Sequence, residues 1–213
     1  MPPTLVTVAV GVLVGLALLG TAFDRRSLFA VVGVAAVPDL DAVASLYVPG
    51  VTNALLHTGW IPLVAGCLLY WDTQRRDTSW LADRYGWRGV RVAWVAVAVY
   101  AVAGIGLDLF SQDAVNLLYP VHDRFYSLVG RFTISTGDGL VQTYVEVGGR
   151  RLVAVTTQGT TADYHVASWV NPTPGTGNPP GVERRVRLLA SGWQAVVVAA
   201  AAVATAVTLG RDR

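Results

Sequence analysis

Five stretches of the chain are dominated by apolar side chains, and each approaches the roughly 20 residues a helix needs to cross a bilayer. They cover about residues 5–22, 28–48, 51–71, 90–110 and 188–209. The first ends at Asp24-Arg25-Arg26. The second is interrupted by Pro38-Asp39-Leu40-Asp41, and Pro49-Gly50 turns the chain into the third, which begins at Val51 or Asn53. An arginine-rich connection, 72–89, leads to the fourth. The fifth is an Ala/Val run with few other features. Met1-Pro2-Pro3-Thr4 lacks the positive region that opens a secretory signal peptide, so the first stretch reads as a retained helix.

The connection 111–187 is too long and too polar to lie in the membrane. Residues 140–147 and 150–157 are rich in β-branched side chains and flank Gly148-Gly149, a two-residue hairpin signal. Residues 132–135 offer a third strand, and the Pro and Gly density of 171–181 reads as a linker. The expected fold is an all-α polytopic membrane protein, with about five transmembrane helices and a small extracytoplasmic β-rich insertion. It divides into a four-helix membrane core over 1–112, a cap over 113–187, and a last helix with a basic tail over 188–213.

Composition agrees: 53% of residues are hydrophobic and 14% charged, against roughly 25% charged in a soluble domain, and the mean hydropathy is +0.48. The net charge of +2, with no clustered basic stripe, gives no reason to expect a nucleic-acid partner. Cys67 is the single cysteine and has no internal partner for a disulfide. Orientation follows from the arginines near helix ends. Arg25 and Arg26, then Arg75, Arg76, Arg84, Arg88 and Arg91, then Arg211 and Arg213 fall on one face if five helices cross. That face is expected to be cytoplasmic, which puts the N-terminus outside and the C-terminus inside a cell (plasma) membrane. Arg184, Arg185 and Arg187 run against this, but they belong to a long connection, where the rule is weak.

Three carboxylates interrupt the apolar stretches: Asp39, Asp41 and Asp108. Each costs roughly 2.5–3.5 kcal/mol at a bilayer centre and is by default a functional candidate. Counted inward from Pro49 at 1.5 Å per residue, Asp41 lies about 10 Å and Asp39 about 13 Å deep, with His57 about 6 Å deep on the next helix. Asp108 nears the same end of the fourth stretch, so all four converge on one half of the membrane. On an unbroken helix Asp39 and Asp41 would point about 200° apart. Pro38 is expected to push Val37 out of helical geometry and break the helix, letting both carboxylates face one cavity. Carboxylates with histidine suit a divalent metal, zinc first, and His122 in the outer loop could add a ligand. The plainer alternatives are hydrated acids near helix ends, a loop histidine at 122 capping backbone, a His57 that only bonds across helices, and a surface histidine at 165.

Ala35-Ala36-Val37-Pro38-Asp39-Leu40-Asp41, Leu55-Leu56-His57-Thr58, Gly106-Leu107-Asp108-Leu109-Phe110 and Asn116-Leu117-Leu118-Tyr119-Pro120 together resemble the membrane-bound metal-dependent hydrolase family, and its haloarchaeal members in general look. The resemblance covers about residues 4–126. It implies Asp39, Asp41, His57 and Asp108 as metal ligands, with Asp39, Asp41 and His57 the catalytic candidates. Members often carry a histidine in the first span and another four residues before the aspartate of span four; here those places hold Thr7 and Gly104. The implied activity is metal-dependent hydrolysis of a lipid or other phosphoester beside the bilayer. The alternative is a non-enzymatic scaffold, or a small transport or proton-handling protein, whose acids bond between helices.

Overall fold

The computed structural model describes residues 2–128, 132–137, 139–142, 156–172 and 180–211. It is mostly helical: α1 (Thr4–Leu19), α2 (Arg25–Ala36), α3 (Asp41–Ala44), α4 (Trp60–Tyr70), α5 (Trp80–Val99), α6 (Leu107–Leu109) and α7 (Gly192–Arg211). Three helical stretches are long and apolar enough to cross a membrane: Thr4–Ala22, Trp80–Leu109 and Gly192–Arg211. A fourth is counted if α2 and the segment Pro38–Ala44, bent by 41° relative to each other, form one crossing. The chain is thus a helical protein with several apolar helices of membrane-spanning length.

The expected third crossing is shorter than its apolar run. Residues 51–59 are turns, with Asn53 in the left-handed region at φ 57°. Helix α4 starts only at Trp60 and, with the π turn Trp71–Arg75, extends sixteen residues, about 24 Å at most. Asn53, His57 and Thr58 all direct side chains to polar partners elsewhere in the fold, which takes this part of the run out of a helix. By length and apolarity, three stretches qualify among the described residues, or four with the bent pair, against the five expected.

Helix α1 is the axis of the core. Val12, Leu19, Val31, Ala35, Val99, Ala103 and Ala201 form its buried cluster, drawn from α1, α2, α5 with the π segment Tyr100–Gly106, and α7. Close approach depends on small residues, as is usual between membrane helices. A Cβ on Gly11 would stand 2.8 Å from Ala35 Cβ and 3.1 Å from Val99 Cγ1. Asp24 starts α2 by a reciprocal capping box with Ser27, both bonds 2.8 Å. Arg88 reaches Asp24 at 2.6 Å and the Ala22 carbonyl at 3.1 Å, while Arg91 donates twice to the Leu18 carbonyl at the end of α1. Cationic donors at a helix C-terminus satisfy carbonyls the helix leaves open and oppose its dipole.

The bend after α2 departs from expectation. Val37 stays helical, at φ −57° and ψ −45°, and its N–H still bonds Gly33. Pro38 instead opens the 3-10 turn Pro38–Leu40, which tightens the winding and redirects the chain into α3. A proline at the first position of a turn lacks only an N–H that would have gone unpaired.

The outer segments hold little strand among the described residues: β1 (Tyr126–Ser127) pairs with β4 (Thr156–Thr157), and β2 (Phe132–Ser135) with β3 (Gly139–Gln142). A β-rich insertion is therefore not what the described part forms. Residues 132–135 pair with 139–142, and the hairpin expected at Gly148-Gly149 lies outside the described residues. What organises this region is a polar latch. Asp123 accepts from Asn116 Nδ2 at 2.6 Å and from the Thr161 amide and hydroxyl at 3.0 and 2.6 Å. Beneath it Phe125, Ala54, Ala114 and Val166 close a small apolar cluster over the 51–59 turns.

Candidate metal or proton site

His57 is the centre of the site and is fully buried, with Asp41, Asp108 and Asn53 also at 0% exposure and Asp39 at 5%. Three parts of the chain supply these groups: the 3-10 turn and α3, the 51–59 turns, and α6 with the residues after it. The bend at Pro38 places Asp39 and Asp41 on opposite sides of one imidazole ring. Asp41 Oδ2 stands 2.9 Å from His57 Nδ1, and its Oδ1 accepts the Leu56 N–H at 2.8 Å. With both oxygens engaged, Asp41 holds the loop and the ring.

The other ring nitrogen faces a different situation. His57 Nε2 lies 3.4 Å from Asp108 Oδ2 and 3.9 Å from Asp39 Oδ1. Neither contact is a hydrogen bond: His57 Nε2, Asp108 Oδ2 and both oxygens of Asp39 have no hydrogen-bond partner among the described residues. Asp108 is anchored through its other oxygen, which accepts Asn53 Nδ2 at 3.0 Å; the same amide donates to the Ala114 carbonyl. Thr4 approaches the Asp39 carboxylate without closing a hydrogen bond to it.

This arrangement has a chemical consequence. A carboxylate at Asp41 is an acceptor, so His57 donates from Nδ1 and, as a neutral ring, presents a lone pair at Nε2. Lone pairs from Asp39 and Asp108 then face the same ring nitrogen, His57 Nε2. Buried unpaired carboxylates cost several kcal/mol each, so the cluster calls for a cation or for protons. Both fit the donor set. Ligands around zinc at about 2.0–2.1 Å stand about 3.3–3.4 Å apart, which the His57–Asp108 spacing matches and the His57–Asp39 spacing exceeds. Among the described residues no group of three or more His, Cys, Asp or Glu is already drawn together as a metal cage, in accord with that wide Asp39 edge.

Of the residues singled out from sequence, Asp39, Asp41, His57 and Asp108 come together. His122 does not join them: it is exposed, its Nε2 is 2.7 Å from the Tyr126 hydroxyl, and its ring stacks on that tyrosine. His165 is half-buried in the outer segment. Asn53 was not anticipated; an asparagine at a turn is an ordinary find, and its left-handed φ and double donation emerge only in three dimensions. Tyr100, whose hydroxyl donates to the Leu56 carbonyl beside His57, was likewise hidden in an apolar run.

The two departures from the family pattern have structural counterparts. Thr7 is fully buried and its hydroxyl has no partner among the described residues. Gly104 packs under the bend, where a Cβ would stand 2.7 Å from Pro38 Cγ; a histidine there would displace the turn that carries Asp39. The chain matches no family model, no curated protein and no solved structure.

Proposed function

We propose that the chain is a membrane-embedded, metal-dependent hydrolase of the membrane-bound metal-dependent hydrolase type, acting on a lipid or other phosphoester. The observation that carries this reading is the approach of Asp108 Oδ2 and Asp39 Oδ1, neither with a hydrogen-bond partner among the described residues, to Nε2 of the buried His57. Asp39, Asp108 and His57 Nε2 would hold a divalent ion, zinc first. Asp41 orients the imidazole from behind, as carboxylates commonly do for ligating histidines. When bound, such an ion supplies Lewis acidity and a water of lowered pKa. Bound through one oxygen, Asp39 would keep the other free to hold or take up a proton at a reacting water, since neither oxygen has a hydrogen-bond partner among the described residues.

In this reading α4 and its π turn make a short fifth crossing, the N-terminus lies outside, the C-terminus lies in the cytoplasm of the cell, and the site sits toward the outer face. The arginines at 25, 26, 75, 76, 84, 88, 91 and 211 support that orientation. Zinc or manganese bound stoichiometrically by the detergent-purified chain, with metal-dependent turnover of a phosphodiester, is the supporting result. Absence of binding after metal is added would sink the reading.

A second reading, in which protons replace the metal, is favoured by the complete burial of His57 and Asp108. The cluster is then a buried acid–histidine network in a scaffold or proton-handling protein. It predicts no metal binding, but proton uptake on folding that Asp39→Asn removes.

A further inference from the structure

Helix α1 meets α2 in an antiparallel register that its glycines mark. A Cβ on Gly15 would stand 3.0 Å from Val31 Cγ2, and one on Gly11 would stand 2.8 Å from Ala35 Cβ and 3.7 Å from Ala103 Cβ. One further turn along α1, matched by one further turn along the facing chain, brings Thr7 level with Asp39. Leu107 and Asp108 occupy the next turn past Ala103. Thr4, on the same face of α1 three residues before Thr7, approaches the Asp39 carboxylate and sets the same level by a separate contact.

Thr7 is fully buried, and its hydroxyl has no hydrogen-bond partner among the described residues. The same holds for both oxygens of Asp39 and for Asp108 Oδ2. A buried donor and several buried acceptors therefore share one seam between α1, the Pro38 turn and α6. We propose that Thr7 is a further positioning residue of the site, whose hydroxyl holds one water against the Asp39 carboxylate, with Asp108 Oδ2 as the third partner. Polar groups that face each other beyond direct reach are commonly joined in this way. A buried water needs about two to four such partners.

A threonine suits the role because its hydroxyl both donates and accepts, and so orients a water without altering the charge of the cluster. Valine has nearly the same shape and lacks that group. The inference rests on the hydrolase reading for the use of the water as a reactant; the link from Thr7 to Asp39 is separable from it.

The test is a double-mutant cycle on the full chain in detergent, read by thermal unfolding, with zinc supplied in one arm and a chelator in the other. Metal content is measured on the same preparations. Thr7→Val should lower the unfolding temperature of the parent by roughly 2–4 °C. In the Asp39→Ala background the same change should leave it unchanged or raise it. Non-additivity of this kind isolates the link between the two side chains. Thr7→Ser keeps the hydroxyl, so its shift should simply add to that of Asp39→Ala. Additive shifts for valine in both arms would overturn the proposal, as would equal coupling in the serine and valine cycles, which would mark a packing effect. Zinc bound by the parent without Thr7–Asp39 coupling sinks this inference and leaves the hydrolase reading standing; coupling in a parent that binds no metal does the reverse.

Discussion

Asp41 Oδ2 and His57 Nδ1 stand 2.9 Å apart with both side chains fully buried, tying the bend after α2 to the turn that precedes α4. Because Asp41 occupies Nδ1, the Nε2 lone pair of a neutral His57 is turned toward Asp39 and Asp108. The metal reading then assigns the three acids unequal roles, and substitution should separate them. Asp41→Asn is expected to weaken zinc affinity by about 10–100-fold, the usual cost of losing a carboxylate behind a ligating histidine. Asp39→Asn should weaken it further. Equilibrium dialysis against a competing chelator measures both; equal losses would contradict the division of roles.

Asn53 reaches Asp108 from a left-handed backbone. Asn53→Gly keeps that backbone available and removes only the side chain, whereas Asn53→Ala adds a conformational cost of roughly 1–2 kcal/mol. Both variants should lose metal affinity to a similar extent, and thermal unfolding should place the alanine variant below the glycine one. Metal binding untouched in Asn53→Gly would remove Asn53 from the site.

Gly104→Ala tests the packing beneath the bend. The new methyl would meet Pro38 Cγ at 2.7 Å, a contact that backbone movement has to relieve. Overpacking of this kind costs about 1–3 kcal/mol, and here it should also displace Asp39. The expected outcome is a lowered unfolding temperature together with weakened metal binding. Gly210→Ala, where nothing lies within 4 Å, is the control that should change neither.

The Asp24 cap gives a pH dependence remote from the site. The Ser27 N–H, and then Arg88, hold Asp24 down to about 2 from the ordinary 3.8. A carboxylate depressed in the folded state contributes its stability in full above the unfolded value and loses it as pH falls toward the folded one. The parent should therefore lose stability between about pH 4 and pH 2 through this group. Asp24→Asn, which retains a capping side chain without charge, should show a shallower decline in the same window. Identical acid profiles for the two proteins would show that the Arg88 pair adds nothing.

The sequence was most informative where apolar length decides the outcome. The stretches at 5–22, 90–110 and 188–209 fall in the three helices of spanning length. The first and last are displaced by a few residues at their ends, while the second begins ten residues early, at Trp80, inside the expected arginine-rich connection. It misled where a polar residue deep in the fold outweighs the apolar run around it. Residues 51–59 look like the start of a span, yet Asn53, His57 and Thr58 draw them into turns. Pro38 was correctly read as the place where the chain bends, but by tightening into a 3-10 turn and not by forcing Val37 out of the helix. Asp39, Asp41, His57 and Asp108 were expected on one level and do lie together, but His57 reaches the others from the 51–59 turns and not from the helix on which its depth was counted. Their unequal roles were not legible, because which oxygen is already engaged depends on Leu56 and Asn53, whose contributions are a backbone N–H and a left-handed turn.

The most direct test of the central claim is the metal content of the full chain purified in detergent, set beside Asp39→Ala/His57→Ala. One divalent ion per chain in the parent, none in the double variant, and both proteins folded by circular dichroism is the result the metal reading predicts. No metal in the parent after zinc and manganese have been supplied would contradict it, and would leave the acceptors of Asp39, Asp108 and His57 to be satisfied by protons.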